Sequence, residues 1–385
     1  MRRAPSPIAR LLSELIIGSA GVVLLATAII ANQAFLDRHF LPSFFITRPT
    51  YVLLETIVRV GMGLAGVLLL LVVRPRLGRA IGRSPGRVLQ VAIAAILALA
   101  AGEVVLRSVH LRPAEWLGRD QEPRRQAHPR LGWTFVPSRT GHGHIGGRVV
   151  DYAFDAAGYR VRQVDAPVNV DLPTMLFTGE SVMFGKGLTW DESIPAQVGA
   201  LLKFQTANMA VDGYGTDQAY LRVQAELPRF RQPVAVVTLF MTTLFGRNLD
   251  DDRPHLGAGL VWLPGVTHGR LRSLLQLVAP YRSEDTIERG IATTREVLRA
   301  TAALAESRGA TPLILVPQFG VEDHVERMLR QRLLDEPGLP YLRVDIDPAW
   351  RVPGDVHPNA HAAHAIAAAV AERLSVSPRA GSTRD

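Results

Sequence analysis

Hydrophobic positions divide the chain into two regimes. The first holds three long runs with almost no polar interruption: Leu15–Ala31, with apolar character continuing to Leu36; Tyr51–Val73, interrupted only by Glu55 and Arg59; and Val88–Leu106, interrupted only by Glu103. Each is close to the ~20 residues a helix needs to cross a bilayer, and a buried helix of a soluble domain is usually shorter. The pattern predicts three transmembrane helices within residues 1–110. From Leu172 onward the apolar runs shorten and alternate with amphipathic stretches. Strands are expected at Pro173–Thr178, Val234–Met241, Thr311–Phe319 and Pro340–Ile346. Helices are expected at Glu192–Leu202, Thr216–Leu227, Thr286–Ser307, Val321–Leu334 and Asn359–Leu374. Short continuous apolar strands separated by helices predict a parallel sheet covered on both faces. Residues 111–171 read as an Arg/Pro-rich connector followed by strand-like pieces. There Trp133, Tyr152 and Phe154 are expected in a small core, and His142 and His144 in a glycine-rich flexible turn. Residues 376–385 read as a disordered tail.

Charge separates the same two regimes. The chain of 385 residues carries +8, which on its own invites a nucleic-acid partner. Twelve arginines and four acids in residues 1–110 account for the whole excess, and the remainder is neutral. A neutral C-terminal part has no electrostatic footprint for DNA or RNA. The arginines also set an orientation. Arg2, Arg3 and Arg10 precede the first helix, and Arg74, Arg76, Arg79, Arg83 and Arg87 crowd the second connection without an acid. By the positive-inside rule both are cytoplasmic. Three crossings then put everything after about residue 110 outside a bacterial inner membrane, on the periplasmic side. Glu55 and Arg59, spaced i, i+4, share a helix face and can neutralise each other; Glu55 and Glu103 lie near helix ends, where snorkelling is cheap. There is no cysteine, which excludes disulfides, thiolate metal sites and a Cys nucleophile.

In a parallel sheet, chemistry gathers at the C-terminal ends of the strands. The first expected strand runs into Gly179-Glu180-Ser181, which puts a serine hydroxyl at a tight turn near a helix N-terminus, where developing negative charge is favoured. The segment Ala207–Tyr214 is a glycine-containing loop entering a helix. Asp355 and His357 lie in a loop before the last helix, with Pro358 and Asn359 as start signals. A serine needs a base to take its proton, and the base needs an orienting group; Ser181, His357 and Asp355 supply those three roles.

The combination of GES with a following FGKG, N-x-x-V-x-G-Y-G from Asn208 to Gly215, and D-x-H-P-N from Asp355 to Asn359 resembles the SGNH/GDSL hydrolases over roughly residues 172–375. The resemblance implies a flavodoxin-like α/β/α sandwich and a metal-free, cofactor-free site that cleaves or transfers O-acyl groups. It implies Ser181 as nucleophile, His357 as general base and Asp355 as orienter. The N–H groups of Ser181 and Gly213 would serve as oxyanion donors. Three departures stand out. The usual Gly-Asp-Ser is Gly-Glu-Ser, the acid lies two rather than three residues before the histidine, and Thr242 occupies the position of an oxyanion asparagine. Losing one such donor costs on the order of 3 kcal/mol in other serine hydrolases; Asn248, in the following loop, is the alternative donor.

Other clusters read as structural. Asp250, Asp251 and Asp252 with His255 are expected to form a solvated loop, because consecutive acids cannot all face one ion. His361 and His364 are expected on an exposed or capping helix face rather than as ligands. Two classes of function remain: a membrane-anchored serine esterase or O-acyltransferase acting on an acylated envelope glycan, glycolipid or lipid, and a non-catalytic SGNH-like domain that binds a polysaccharide or an assembly partner. An acyl-delivery path through the three helices finds no support in their few peripheral charges.

Overall fold

The computed structural model describes residues 7–83, 85–112, 115–117 and 122–376; the expected tail beyond Val376 lies outside them. The chain forms two compact units. One comprises Met1–Leu41, Ile46–Leu111 and His268–Arg282; the other comprises Pro42–Phe45, Arg112–Thr267 and Ser283–Asp385.

The first unit is helical: α1 (Pro7–Ile30), α2 (Gln33–His39), α3 (Arg48–Leu68), α4 (Arg74–Arg83) and α5 (Pro85–Leu106). Three spans, Arg10–Ile30, Arg48–Ile81 and Leu89–Leu106, are long and apolar enough to cross a membrane. Gly21 and Gly66 let α1 and α3 approach closely: a Cβ on Gly66 would lie 2.8 Å from the Gly21 carbonyl oxygen, the small-residue contact that favours helix association in lipid. The arginine-rich second connection is helical rather than an open loop. A π-helical turn over Leu69–Val73 joins α3 to α4, and this wider turn absorbs Pro75, which has no N–H for the helical ladder. A further helix, α9 (Arg270–Val278), belongs to this unit although it lies far along the chain. Glu103 caps it, accepting from the Arg270 and Leu271 N–H groups at 2.8 and 2.9 Å.

The second unit is a mixed α/β body. Its strands are β1 (Arg125–His128), β2 (Gly132–Phe135), β3 (Arg139–Ile145), β4 (Arg148–Phe154), β5 (Arg160–Val161), β6 (Thr174–Thr178), β7 (Gln205–Asn208), β8 (Pro233–Leu239), β9 (His255–Leu256), β10 (Trp262–Leu263), β11 (Thr311–Phe319) and β12 (Tyr341–Ile346). Its helices are α6 (Ser181–Phe184), α7 (Ile194–Leu202), α8 (Thr216–Glu226), α10 (Glu284–Ser307), α11 (His324–Arg330) and α12 (Ala360–Ser375). One eight-stranded sheet runs β12-β11-β8-β6-β7-β5-β4-β3. The first five strands of that order are parallel, and β5, β4 and β3 continue it antiparallel. The lead-in is therefore an extension of the main sheet, and β3 carries His142 and His144, leaving Gly146 and Gly147 as the turn. Trp133, Tyr152 and Phe154 are buried.

Helix patterning explains the packing. On α12 the buried residues Ala362, Ala363, Ile366, Ala367, Val370, Ala371 and Leu374 recur at three- and four-residue steps, so one stripe faces the sheet. Asn359 starts this helix by accepting the Ala362 N–H at 3.0 Å. Ser283 caps α10 in the same way. Helix α11 ends at Arg330 and passes into a π-helical turn, Gln331–Asp335, within the expected helical stretch.

Candidate active site

Strand β6 ends at Thr178, and Gly179 turns the chain with φ of 145°; a Cβ there would sit 2.8 Å from Leu239 Cβ, so only glycine fits. Ser181 opens α6, the single helical turn that follows. Its Oγ lies 2.8 Å from His357 Nε2, and His357 Nδ1 lies 2.5 Å from Asp355 Oδ1. Asp355 Oδ1 also accepts the His357 backbone N–H at 2.9 Å. With Nδ1–H donating to the carboxylate, Nε2 presents its lone pair to the serine hydroxyl, whose single proton has two acceptors in reach, Nε2 at 2.8 Å and Glu180 Oε2 at 2.5 Å. Ser181 and His357 are buried at 1% and 5% exposure. The hydrogen bond from His357 holds the Asp355 carboxyl down to about 2.

The two backbone N–H groups expected as oxyanion donors are those of Ser181 and Gly213. Gly213 has φ of 87°, a left-handed conformation, and follows the buried Asp212. Neither the Ser181 nor the Gly213 N–H has a hydrogen-bond partner among the described residues. The Gly213 turn is held firmly: Asp212 Oδ2 meets Lys186 Nζ at 3.1 Å and Arg125 at 3.0 Å, and Trp133 Nε1 donates to the Asp212 carbonyl at 3.1 Å. Burial pushes the Asp212 carboxyl up, but the two cations outweigh it and hold the group well below the usual carboxylate range. Lys186, the lysine of the FGKG segment, is thus a brace for this turn.

The lead-in braces the serine turn as well. Arg160 is 1% exposed and donates to the Phe184 and Gly185 carbonyls at 2.7 Å each and to that of Leu188 at 2.5 Å. Burial lowers its guanidinium to about 10, and the rings of Tyr152 and Phe184 lie 4.8 and 4.9 Å from its Cζ. Asn208 Nδ2 reaches the Phe184 carbonyl at 3.3 Å.

Thr242 and Asn248 are the two residues expected as a third oxyanion donor. Thr242 is 3% exposed, and its hydroxyl has no hydrogen-bond partner among the described residues. Asn248, the alternative donor, is fully engaged elsewhere. Its Nδ2 donates to the hydroxyls of Thr216 and Thr294 at 3.0 and 3.1 Å, and its Oδ1 accepts the Thr216 N–H at 2.8 Å. Glu180 is not a passive replacement for aspartate. Its Oε1 accepts the Val182 N–H at 3.1 Å and its Oε2 lies 2.5 Å from Ser181 Oγ. Its place in the motif, next to the serine, is the one sequence signal of this contact.

Phe44 had no sequence signal at all. It lies between the first two apolar helices, yet residues Pro42–Phe45 belong to the second unit. Its ring meets His357 edge-on at 5.8 Å and Phe319 at 6.0 Å, and its N–H donates to the Thr243 carbonyl at 3.2 Å.

The remaining candidates are structural. Asp252 and Asp250 pair with Arg112 at 3.0 and 3.8 Å, and burial raises the Asp252 carboxyl, so this loop is partly buried rather than solvated. His361 packs edge-on against Trp350 at 4.0 Å, and His364 Nδ1 lies 2.7 Å from Gln197 Oε1. No group of three or more metal-ligating side chains occurs among the described residues.

No protein-family model matches the chain, and no curated protein matches it either. Solved structures that superpose on it include lipolytic and carbohydrate esterases. A member of the lipolytic G-D-S-L family from Veillonella parvula is 11% identical, with 53% of this chain covered, 99% of that chain, and a TM-score of 0.33. A GDSL-like lipase from Bacteroides thetaiotaomicron is 12% identical, with 52% and 87% covered and a TM-score of 0.33. An acetyl xylan esterase from Butyrivibrio proteoclasticus is 12% identical, with 54% and 65% covered and a TM-score of 0.34. At such scores the likeness carries no chemistry; the side chains do.

Proposed function

We propose that the protein is a membrane-anchored serine esterase or O-acyltransferase, acting outside the inner membrane on an acylated envelope glycan, glycolipid or lipid. The observation that carries the reading is the chain Ser181 Oγ–His357 Nε2–His357 Nδ1–Asp355 at 2.8 and 2.5 Å. In this reading Ser181 Oγ attacks the ester carbonyl while its proton passes to His357 Nε2. The carbonyl π pair becomes an oxyanion facing the unspent N–H groups of Ser181 and Gly213, with the Thr242 hydroxyl beside them. Asp355 steadies the imidazolium that forms. Collapse expels the alcohol, which takes the proton back from His357, and leaves an acyl-serine. Water or a sugar hydroxyl, deprotonated by the same imidazole, then releases the acyl group. Three apolar spans support residence at a membrane, and residence there favours lipid-linked or nascent glycans over soluble esters.

The test is turnover of p-nitrophenyl acetate by the full chain in detergent micelles, beside Ser181→Ala. The reading expects hydrolysis by the wild type and none above background by the variant. Equal turnover by both rejects the serine mechanism. Thr242 in place of an amide donor favours a second reading, a non-catalytic domain that binds a polysaccharide or assembly partner. That reading expects no turnover from either protein.

A further inference from the structure

Glu180 creates an electrostatic problem that this site must solve. A carboxylate 2.5 Å from Ser181 Oγ opposes the negative charge that grows on the neighbouring acyl oxygen. Two neutral N–H donors and a threonine hydroxyl do not offset a full charge, and Asn248 is committed to Thr216 and Thr294. One cation is in place. Arg247 lies five residues beyond Thr242 on the same 3-10 segment, Thr242–Leu249. Its Nη1 is 3.6 Å from Glu180 Oε2, too long for a hydrogen bond. That nitrogen is buried and has no hydrogen-bond partner among the described residues. The guanidinium packs 5.9 Å from the Phe45 ring centroid, and the Arg247 carbonyl is held by Arg253 Nη2 at 2.7 Å. A buried guanidinium N–H with no acceptor is costly unless something accepts from it during the working cycle.

We propose that Arg247 is a catalytic residue: its unspent N–H donates to the acyl oxyanion, in the role the missing asparagine amide would play. The proposal rests on the serine acyl-transfer reading above. In the attack step the Ser181 Oγ–C bond forms, the serine proton goes to His357, and the carbonyl electron pair becomes the oxyanion. Arg247, with the Ser181 and Gly213 N–H groups, receives that charge and transfers no proton. Glu180 draws the guanidinium toward the serine, and Arg247 cancels the charge that Glu180 brings. A guanidinium suits this place better than an amide because it both donates and neutralises.

The experiment is a double-mutant cycle on the full chain in detergent, with p-nitrophenyl acetate. Arg247→Met keeps the aliphatic stem against Phe45 and removes the donor. It should lower kcat about 100- to 1000-fold with KM nearly unchanged, the loss seen when one oxyanion donor is removed. The same loss should appear when Arg247→Met is made on Glu180→Gln. If the loss disappears in that background, Arg247 only neutralises Glu180 and the proposal fails. If Arg247→Met keeps kcat within about threefold, the proposal also fails. Should the methionine variant not fold, as read by its thermal transition, Arg247→Lys decides. Its compact ammonium should cost at least tenfold in kcat at constant KM, and wild-type kcat would overturn the assignment. A wild type without any turnover rejects the serine reading itself, an outcome distinct from all of these.

Discussion

Ser181, His357 and Asp355 form a chain whose protonation is set by position. Asp355, lowered to about 2 by its bond to His357, stays ionised through the whole range in which proteins work. The sign follows from linkage. A carboxylate depressed in the folded state adds stability above its unfolded value near 3.9, and that contribution is lost as pH falls toward about 2. Titration of Asp355 therefore lies below any acid limb that turnover shows at working pH. Asp355→Asn should leave the thermal transition at neutral pH little changed yet lower kcat on the order of 10⁴-fold, because an amide permits the wrong tautomer; full kcat would remove Asp355 from the mechanism. Thr242→Val should lower kcat less than about tenfold, the worth of a neutral hydroxyl donor, and a loss as large as that expected for Arg247→Met would move the third oxyanion position back to Thr242. Lys186→Met leaves buried Asp212 with Arg125 alone. It should cost about 1.5–3 kcal/mol of stability and lower kcat by loosening the Gly213 turn, both measurable by denaturant titration beside turnover.

Among the elements, the segment Pro42–Phe45 has the most consequence for the site. Four residues between the first two apolar helices join the second unit, and Phe44 packs on His357 and Phe319. Phe44→Ala removes a wall that orients the imidazole. It should lower kcat, whereas Phe44→Leu should retain much of it. A fragment of residues 112–385 lacks Phe44 and should turn over more slowly than the full chain at equal site concentration. Parity between fragment and full chain would make Phe44 dispensable. Periodicity made the large elements legible: β11 occupies the predicted Thr311–Phe319, and α10 and α12 begin and end within two residues of expectation. It missed β7, because Gln205–Asn208 is four residues long with polar ends, and it missed α9, whose arginines and scattered apolar residues read as loop. Phe44 was illegible for another reason. Its partners lie about 300 residues away, and no local pattern records so distant a contact.

At the scale of the whole molecule, charge and hydrophobicity agree on an arrangement. Five arginines in the second connection and three before the first helix predict that reporter fusions after Arg83 are cytoplasmic and those after Arg119 periplasmic; a periplasmic signal at residue 83 would invert the compartment of the site. The helical form of the second connection does not alter this, since the rule counts charge and not conformation. The sequence also singled out the serine, histidine and aspartate, because Ser181 follows a strand end and Asp355 and His357 share a short motif just before the last helix. It could not reveal the Arg247 Nη1 that lies 3.6 Å from Glu180 Oε2, because that approach depends on where the 3-10 segment after β8 lies relative to the end of β6. All of these assignments converge on one nucleophile. The most direct test is to expose the full chain in detergent to a fluorophosphonate and locate the adduct by peptide mass spectrometry. The account predicts a single adduct on Ser181, lost in Ser181→Ala and strongly slowed in His357→Ala; an unlabelled protein, or labelling that persists in Ser181→Ala, would contradict it.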